Sequence, residues 1–197
     1  MQKRLFQAIV LAMVALVTGC AAGTKFERQP DQRLVLGKTT YEEIVQVMGK
    51  PLNEGAVAKN AKSMKRIAYG YAGSGAPAYD GVVASNAQSF HFYDNKLVGY
   101  DYTSSYKTDS TDIDISKLNQ ILKGTSTRAD VRALLGPAGG QYLFPLISSP
   151  EQQADSYLYS QTTRGFGIVK FYRKSLTVTY DPSGIVSNVE FEETGNK

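Results

Sequence analysis

The stretch Leu34 to Pro51, LVLGKTTYEEIVQVMGKP, returns in altered form at Ile121 to Gly139 as ILKGTSTRADVRALLGPAG. An offset of 87 residues sets Gly37 over Gly124, Thr40 over Thr127, Glu43 over Asp130, Ile44 over Val131, Val47 over Leu134 and Gly49 over Gly136. Thr40 and Glu43 form the Thr-x-x-Glu pattern of a capping box, in which hydroxyl and carboxylate satisfy backbone N–H groups left free at a helix start. Thr127 and Asp130 offer a shorter version of it. Ile44, Val47 and Met48 fall at spacings of three and four, as do Val131, Leu134 and Leu135, so each copy predicts a short helix burying one stripe. Gly49 and Gly136 stand where a left-handed cap ends a helix, and Pro51 and Pro137 prevent continuation.

The echo continues downstream. RIAYGY matches DSYLYS, placing Tyr69 and Tyr71 against Tyr157 and Tyr159. SFHFYDNKLVGYDY matches LTVTYDPSGIVSNVEF, placing Tyr93 and Asp94 over Tyr180 and Asp181, with hairpin turns at Asn95–Lys96 and Pro182–Gly184. A shorter helix is expected before each capped one, from about Asp31 to Leu36 and from about Ile115 to Leu122. The expected fold is therefore α+β: two tandem helix-helix-strand-strand-strand units, with helices on one face of antiparallel sheet. Residues 34–106 form the first unit, 107–114 a linker and 115–197 the second.

Upstream, Lys3 and Arg4 precede an apolar run from Leu5 to Val17, which reads as a secretory signal over residues 1–19. It ends in Val17, Thr18, Gly19 and Cys20, which resembles the lipobox of bacterial lipoproteins. The resemblance implies a diacylglycerol and an acyl group on Cys20; no other cofactor is expected, and no metal, since no paired histidines offer ligand spacing. Cys20 is the sole cysteine, so no internal disulfide forms. Ala21 stands where an aspartate would signal inner-membrane retention, which in a Gram-negative host places the chain on the periplasmic face of the outer membrane. Residues 20–33, polar and interrupted by Pro30, read as a lipidated tether. Removing Lys3 and Arg4 with the signal lowers 22 cations to 20 against 18 anions. With the charges interspersed, nucleic acid is not the expected partner.

The pattern Gly37, Thr39 or Thr40, Ile44, Met48, Gly49 and Pro51, repeated from Gly124 to Pro137, resembles the small outer-membrane lipoproteins of the SmpA/OmlA (BamE-like) family. It is also similar to the tandem-repeat beta-lactamase inhibitor proteins that share this layout. The resemblance implies helices covering one sheet face and leaving the other for a partner. A BamE-type factor typically has one unit where this chain has two, and the inhibitor typically has disulfides that this chain lacks.

Chemistry-bearing residues are sparse. His91 is the single histidine, flanked by Phe90 and Phe92, and reads as a packed strand residue rather than a base. Asp109, Asp112 and Asp114 lack the glycine and glutamate of a calcium loop, and helix capping by Asp112 or Asp114 is the expected use. AGSGAPAYDG, residues 72–81, lacks the lysine of a phosphate loop and reads as a contact loop. Strand alternation puts Phe90 and Phe92 on one side and Ser89, His91 and Tyr93 on the other. Two registers stay open: Phe90 and Phe92 face outward as a partner-binding surface joined by Tyr69, Tyr71, Tyr100 and Tyr102, or the strand slips by one and they are core. The function expected is a non-enzymatic, membrane-anchored module binding an envelope or outer-membrane protein in assembly or maintenance. The alternative is an inhibitor or small apolar-ligand binder using the aromatic face.

Overall fold

The computed structural model describes residues 22–165 and 168–196, so Cys20 and the signal lie outside the described residues. One antiparallel sheet runs through the body. Its strands are β1 (Ala22–Gly23), β2 (Asn53–Lys59), β3 (Lys62–Ala72), β4 (Ser85–Tyr93), β5 (Lys96–Ser104), β6 (Gly140–Tyr142), β7 (Gln153–Gly165), β8 (Ile168–Tyr180) and β9 (Val186–Gly195). The nine strands follow the order β1-β3-β4-β5-β6-β7-β8-β9, with β2 also paired to β3. Two α-helices of 8 residues each, α1 (Tyr41–Met48) and α2 (Arg128–Leu135), are the α-helical content among the described residues.

This overturns the α+β expectation of tandem helix-helix-strand-strand-strand units. The segments read as preceding helices are only short 3₁₀ turns, Asp31–Arg33 and Ile115–Gln120, and the sheet is a single body in which β6 pairs with both β5 and β7. Long strands set the balance, since β7 and β8 pair over 13 residues each.

Local signals nonetheless have the structure their chemistry demands. Thr40 accepts from the Glu43 N–H and the Glu43 carboxylate accepts from the Thr40 N–H; Thr127 and Asp130 do the same for α2. Gly49 and Gly136 follow the helices with φ of 75° and 88°, values that glycine adopts without cost. The stripes pack inward at Ile44, Met48, Val131, Leu134 and Leu135, whereas Val47 is left exposed. Ile44 sits with Leu34, Ile67, Tyr69, Phe90, Phe92, Leu97 and Tyr100, and Val131 with Tyr157, Leu176, Val178, Tyr180 and Val186.

Register resolves the two alternatives left open by the sequence. Phe92 faces Leu97 across the first turn, and Tyr180 faces Val186 across the second. Leu97 and Val186 have the same job, their carbonyls accepting from the Gly37 and Gly124 N–H groups. Phe92 thus corresponds to Tyr180 and Phe90 to Val178, because the second turn is one residue longer. A one-residue slip exchanges the faces of a strand. Phe90 and Phe92 belong to the core.

The N-terminal segment is not a free tether where it is described. Ala22 and Gly23 pair with Ala72 and Tyr71, and Thr24 N–H donates to the Gly70 carbonyl. Phe26 packs on Tyr69, at 6.3 Å between ring centroids. Gln29 exchanges two hydrogen bonds with the fully buried Gln88 side chain, 2.9 and 3.1 Å.

Candidate functional site

The aromatic residues expected to bind a partner are dispersed among structural roles. Phe90 and Phe92 are 0% and 2% exposed, which removes the outward-facing surface. Tyr41 meets Phe92 edge-on at 5.8 Å, and Tyr69 meets Phe90 at 6.2 Å. Tyr69 is buried and donates to the Gly49 carbonyl, fixing the end of α1, while burial pushes its phenol up to about 12. Tyr100 is buried, and burial raises its phenol further. Tyr102 is buried and donates to Asp109, with the Arg28 guanidinium 4.5 Å over its ring. Tyr71 alone of the set is half-buried at the surface, with the Lys25 ammonium 5.5 Å from its ring centre.

The remaining singled-out residues also find partners. Asp109 accepts from Tyr102 and Ser104, Asp112 pairs with the buried Lys174 and accepts from Tyr79, and Asp114 caps the turn at Ser116. The acidic run is thus spread over three separate contacts. His91 is 7% exposed on the sheet face away from α1, ring to ring with Tyr142 at 6.4 Å. Burial holds its imidazole below the ordinary value, Asp101 pulling the other way and Arg66 adding to the fall. Nearby, Asp101 accepts from Tyr142 and Ser156, and Arg66 donates to Ser89. In the glycine-rich loop, a Cβ at Gly73 would lie 2.3 Å from the Tyr71 hydroxyl and one at Gly75 2.5 Å from the Tyr106 ring. The loop closes over these two tyrosines, Tyr71 and Tyr106, at its glycines.

Among the grooves on the surface, one lies between the N-terminal segment and the end of α1. It has a volume of about 390 Å³ and is lined by Phe26, Pro30, Val47 and Met48 together with the polar and charged Lys25, Glu27, Arg28, Gln29 and Arg33. Arg28, also on the lining, is engaged by Asp31 at 3.2 Å. Val47 is 62% exposed, although the heptad-like stripe assigns it inward. The helix is short enough that Ile44, alone of its residues, is fully buried, which leaves its last turn free to form a wall. Sequence reasoning missed this groove by treating residues 20–33 as polar spacer. Phe26, an isolated aromatic among polar neighbours, was the available signal.

No family model matches the chain, and no curated protein matches it. Among solved structures it is similar to a "putative beta-lactamase inhibitor protein" from Streptococcus mutans at 13% identity and a TM-score of 0.40, over 82% of this chain and 91% of the other. That similarity is too distant to bear on what this chain binds.

Proposed function

We propose that this chain is a lipid-anchored, non-enzymatic protein-binding module of the periplasmic face of the outer membrane, and that it holds an envelope protein in the groove beside α1. The supporting observation is the exposed Val47 beside Met48 and Phe26 in a concave site. Apolar side chains gathered in a groove with a polar margin are how protein surfaces seat an apolar anchor from a partner. The ligand expected is an extended or helical segment presenting one or two apolar side chains. With Lys25, Arg28 and Arg33 set against the single acid Glu27 in the lining, the groove favours a carboxylate at its flank.

A photo-crosslinking residue at position 47 should capture one envelope protein in living cells, whereas the same residue at Lys59 should not. Val47→Asp should reduce that protein's recovery with the solubilised lipoprotein at least tenfold, with thermal unfolding unchanged because the side chain is exposed. Full recovery with Val47→Asp would sink the groove as the binding site.

A further inference from the structure

We infer that the groove beside α1 is the opened counterpart of a place that the second half fills with its own lysine, and that it takes a leucine or methionine side chain flanked by a carboxylate. The inference rests on the groove being the binding site and adds what that site accepts.

The two halves lead into their helices alike. The 3₁₀ turn before α1 ends with Leu34 N–H donating to the Asp31 carbonyl, and the one before α2 with Ile121 N–H donating to the Leu118 carbonyl, both at 3.1 Å. Thr39 and Ser126 N–H groups then reach back to the Val35 and Leu122 carbonyls, at 2.9 and 2.8 Å. By the 87-residue offset, Phe26 stands over Ile113, Pro30 over Lys117 and Val47 over Leu134. Phe26 packs on the first apolar cluster, as Ile113 belongs to the second.

The side chains then differ. In the second half the Lys117 ammonium donates to the Leu134 carbonyl at 3.1 Å, so its methylene stem crosses from the 3₁₀ turn to the last turn of α2. A cation there satisfies a carbonyl at the end of a helix, where carbonyls are left free. Leu134 is half-buried and packed against the core. In the first half Pro30 stands at the position of Lys117 and has no side chain that can make the crossing, and Val47 is left exposed. The groove lies where that stem would lie, with Pro30 and Val47 both in its lining.

Charge selects the occupant. The positions of Lys25, Glu27, Arg28 and Arg33 hold Asp112, Asp114, Ile115 and Gln120 in the second half. Two acids thus stand where the groove has three cations and one acid, so a partner's lysine is repelled where Lys117 is accepted. What fits is the stem without its charge. Leucine or methionine has the reach to lie against Val47 and Met48, and a glutamate or aspartate beside it meets Lys25 and Arg33, Arg28 being held by Asp31 at 3.2 Å.

Pro30→Lys copies the second half and should close the groove from within, whereas Pro30→Ala leaves it open. The probe is the peptide acetyl-Glu-Leu-Glu-amide, titrated into the solubilised full chain with isotope-labelled valine and methionine methyl groups. In the unaltered protein and in Pro30→Ala, the Val47 and Met48 signals should shift and saturate. Pro30→Lys should bind roughly tenfold more weakly, the order of effect expected when one aliphatic side chain loses its seat. Acetyl-Lys-Leu-Lys-amide should leave both signals unmoved. Equal binding by the two Pro30 variants, each shown folded by its thermal midpoint, overturns the self-filled counterpart, and equal shifts with the lysine peptide overturn the choice of charge. The groove as the cellular site fails separately. If Val47→Asp loses the envelope protein while the Pro30 variants bind the peptide alike, this inference alone falls; if the peptide series behaves as expected and position 47 captures nothing in cells, the cellular reading alone falls.

Discussion

Asp155 shows how much a single carboxylate decides. It is 0% exposed on β7, and four hydrogen bonds from Arg128 and Arg132 of α2 converge on its two oxygens, with the Tyr180 hydroxyl beyond at 3.4 Å. Burial pushes its carboxyl up, but Arg132 and Arg128 outweigh that and hold it below the ordinary carboxylate value. A carboxyl depressed in the folded state adds stability that is complete above its unfolded value of about 3.9 and is lost as pH falls through the lower folded value. Asp155→Asn should therefore lower stability by about 3 kcal/mol at neutral pH, since charge-assisted bonds are the strong ones and both arginines are left with a weak acceptor. Urea denaturation at a series of pH values checks this: the gap between the two proteins should close as pH drops below about 4. A gap that persists in acid would mean that shape, not charge, is the contribution. Phe90 makes the apolar counterpart. Phe90→Ala should cost about 3–5 kcal/mol, the usual range for a buried aromatic, measured by the same denaturation at neutral pH.

At the scale of elements, what was legible in the sequence was what local chemistry dictates. Thr40 with Glu43 and Thr127 with Asp130 each cap a helix within four residues, and no distant part of the chain is needed to recognise them. Thr40→Ala should cost about 1 kcal/mol, as loss of a capping hydroxyl does, and should appear as a lowered urea midpoint. Strand register was not legible, because it depends on the length of a turn. Asp94 and Asn95 turn with φ of 48° and 61°, whereas the second turn gathers Ser183 and Ile185 N–H groups on the Asp181 carboxylate and is longer by one residue. The count of helices was over-read for a similar reason: an apolar, cap-like pattern over six residues forms one 3₁₀ turn as readily as a short helix. The candidate groove was less legible still, since it depends on Gln29 and Gln88, 59 residues apart, finding each other. Gln88→Ala should release the N-terminal segment while the sheet stays folded. Trypsin cleavage after Arg28 and Arg33 should then accelerate with the strand signal in circular dichroism unchanged, and binding in the groove should weaken with it.

The whole molecule depends on its narrowest element. β6 has three residues and carries the sheet from β5 to β7, so the two halves share one hydrogen-bonded layer through Gly140, Gln141 and Tyr142. Side chains reinforce the same seam: Asp101 of β5 accepts from Tyr142 of β6 and from Ser156 of β7, the latter at 2.7 Å. Gly140 is what lets the strands close. A Cβ there would lie 2.1 Å from the Tyr100 carbonyl oxygen and 2.9 Å from the Asp101 Cα, both backbone atoms that cannot turn aside. Each half has its own apolar cluster, one around Ile44 and Phe90, the other around Val131 and Val178. The halves can thus hold together locally even when the seam is opened. The native protein should unfold in one transition, because breaking either half exposes the edge of the other. Gly140→Val should split that transition. Heating followed by calorimetry should show two overlapping peaks whose separate enthalpies sum to nearly the original, with hydrogen exchange accelerated first at β5 and β6. A single, merely shifted peak would mean that the seam bends without parting, and that the sheet is cooperative through more than β6.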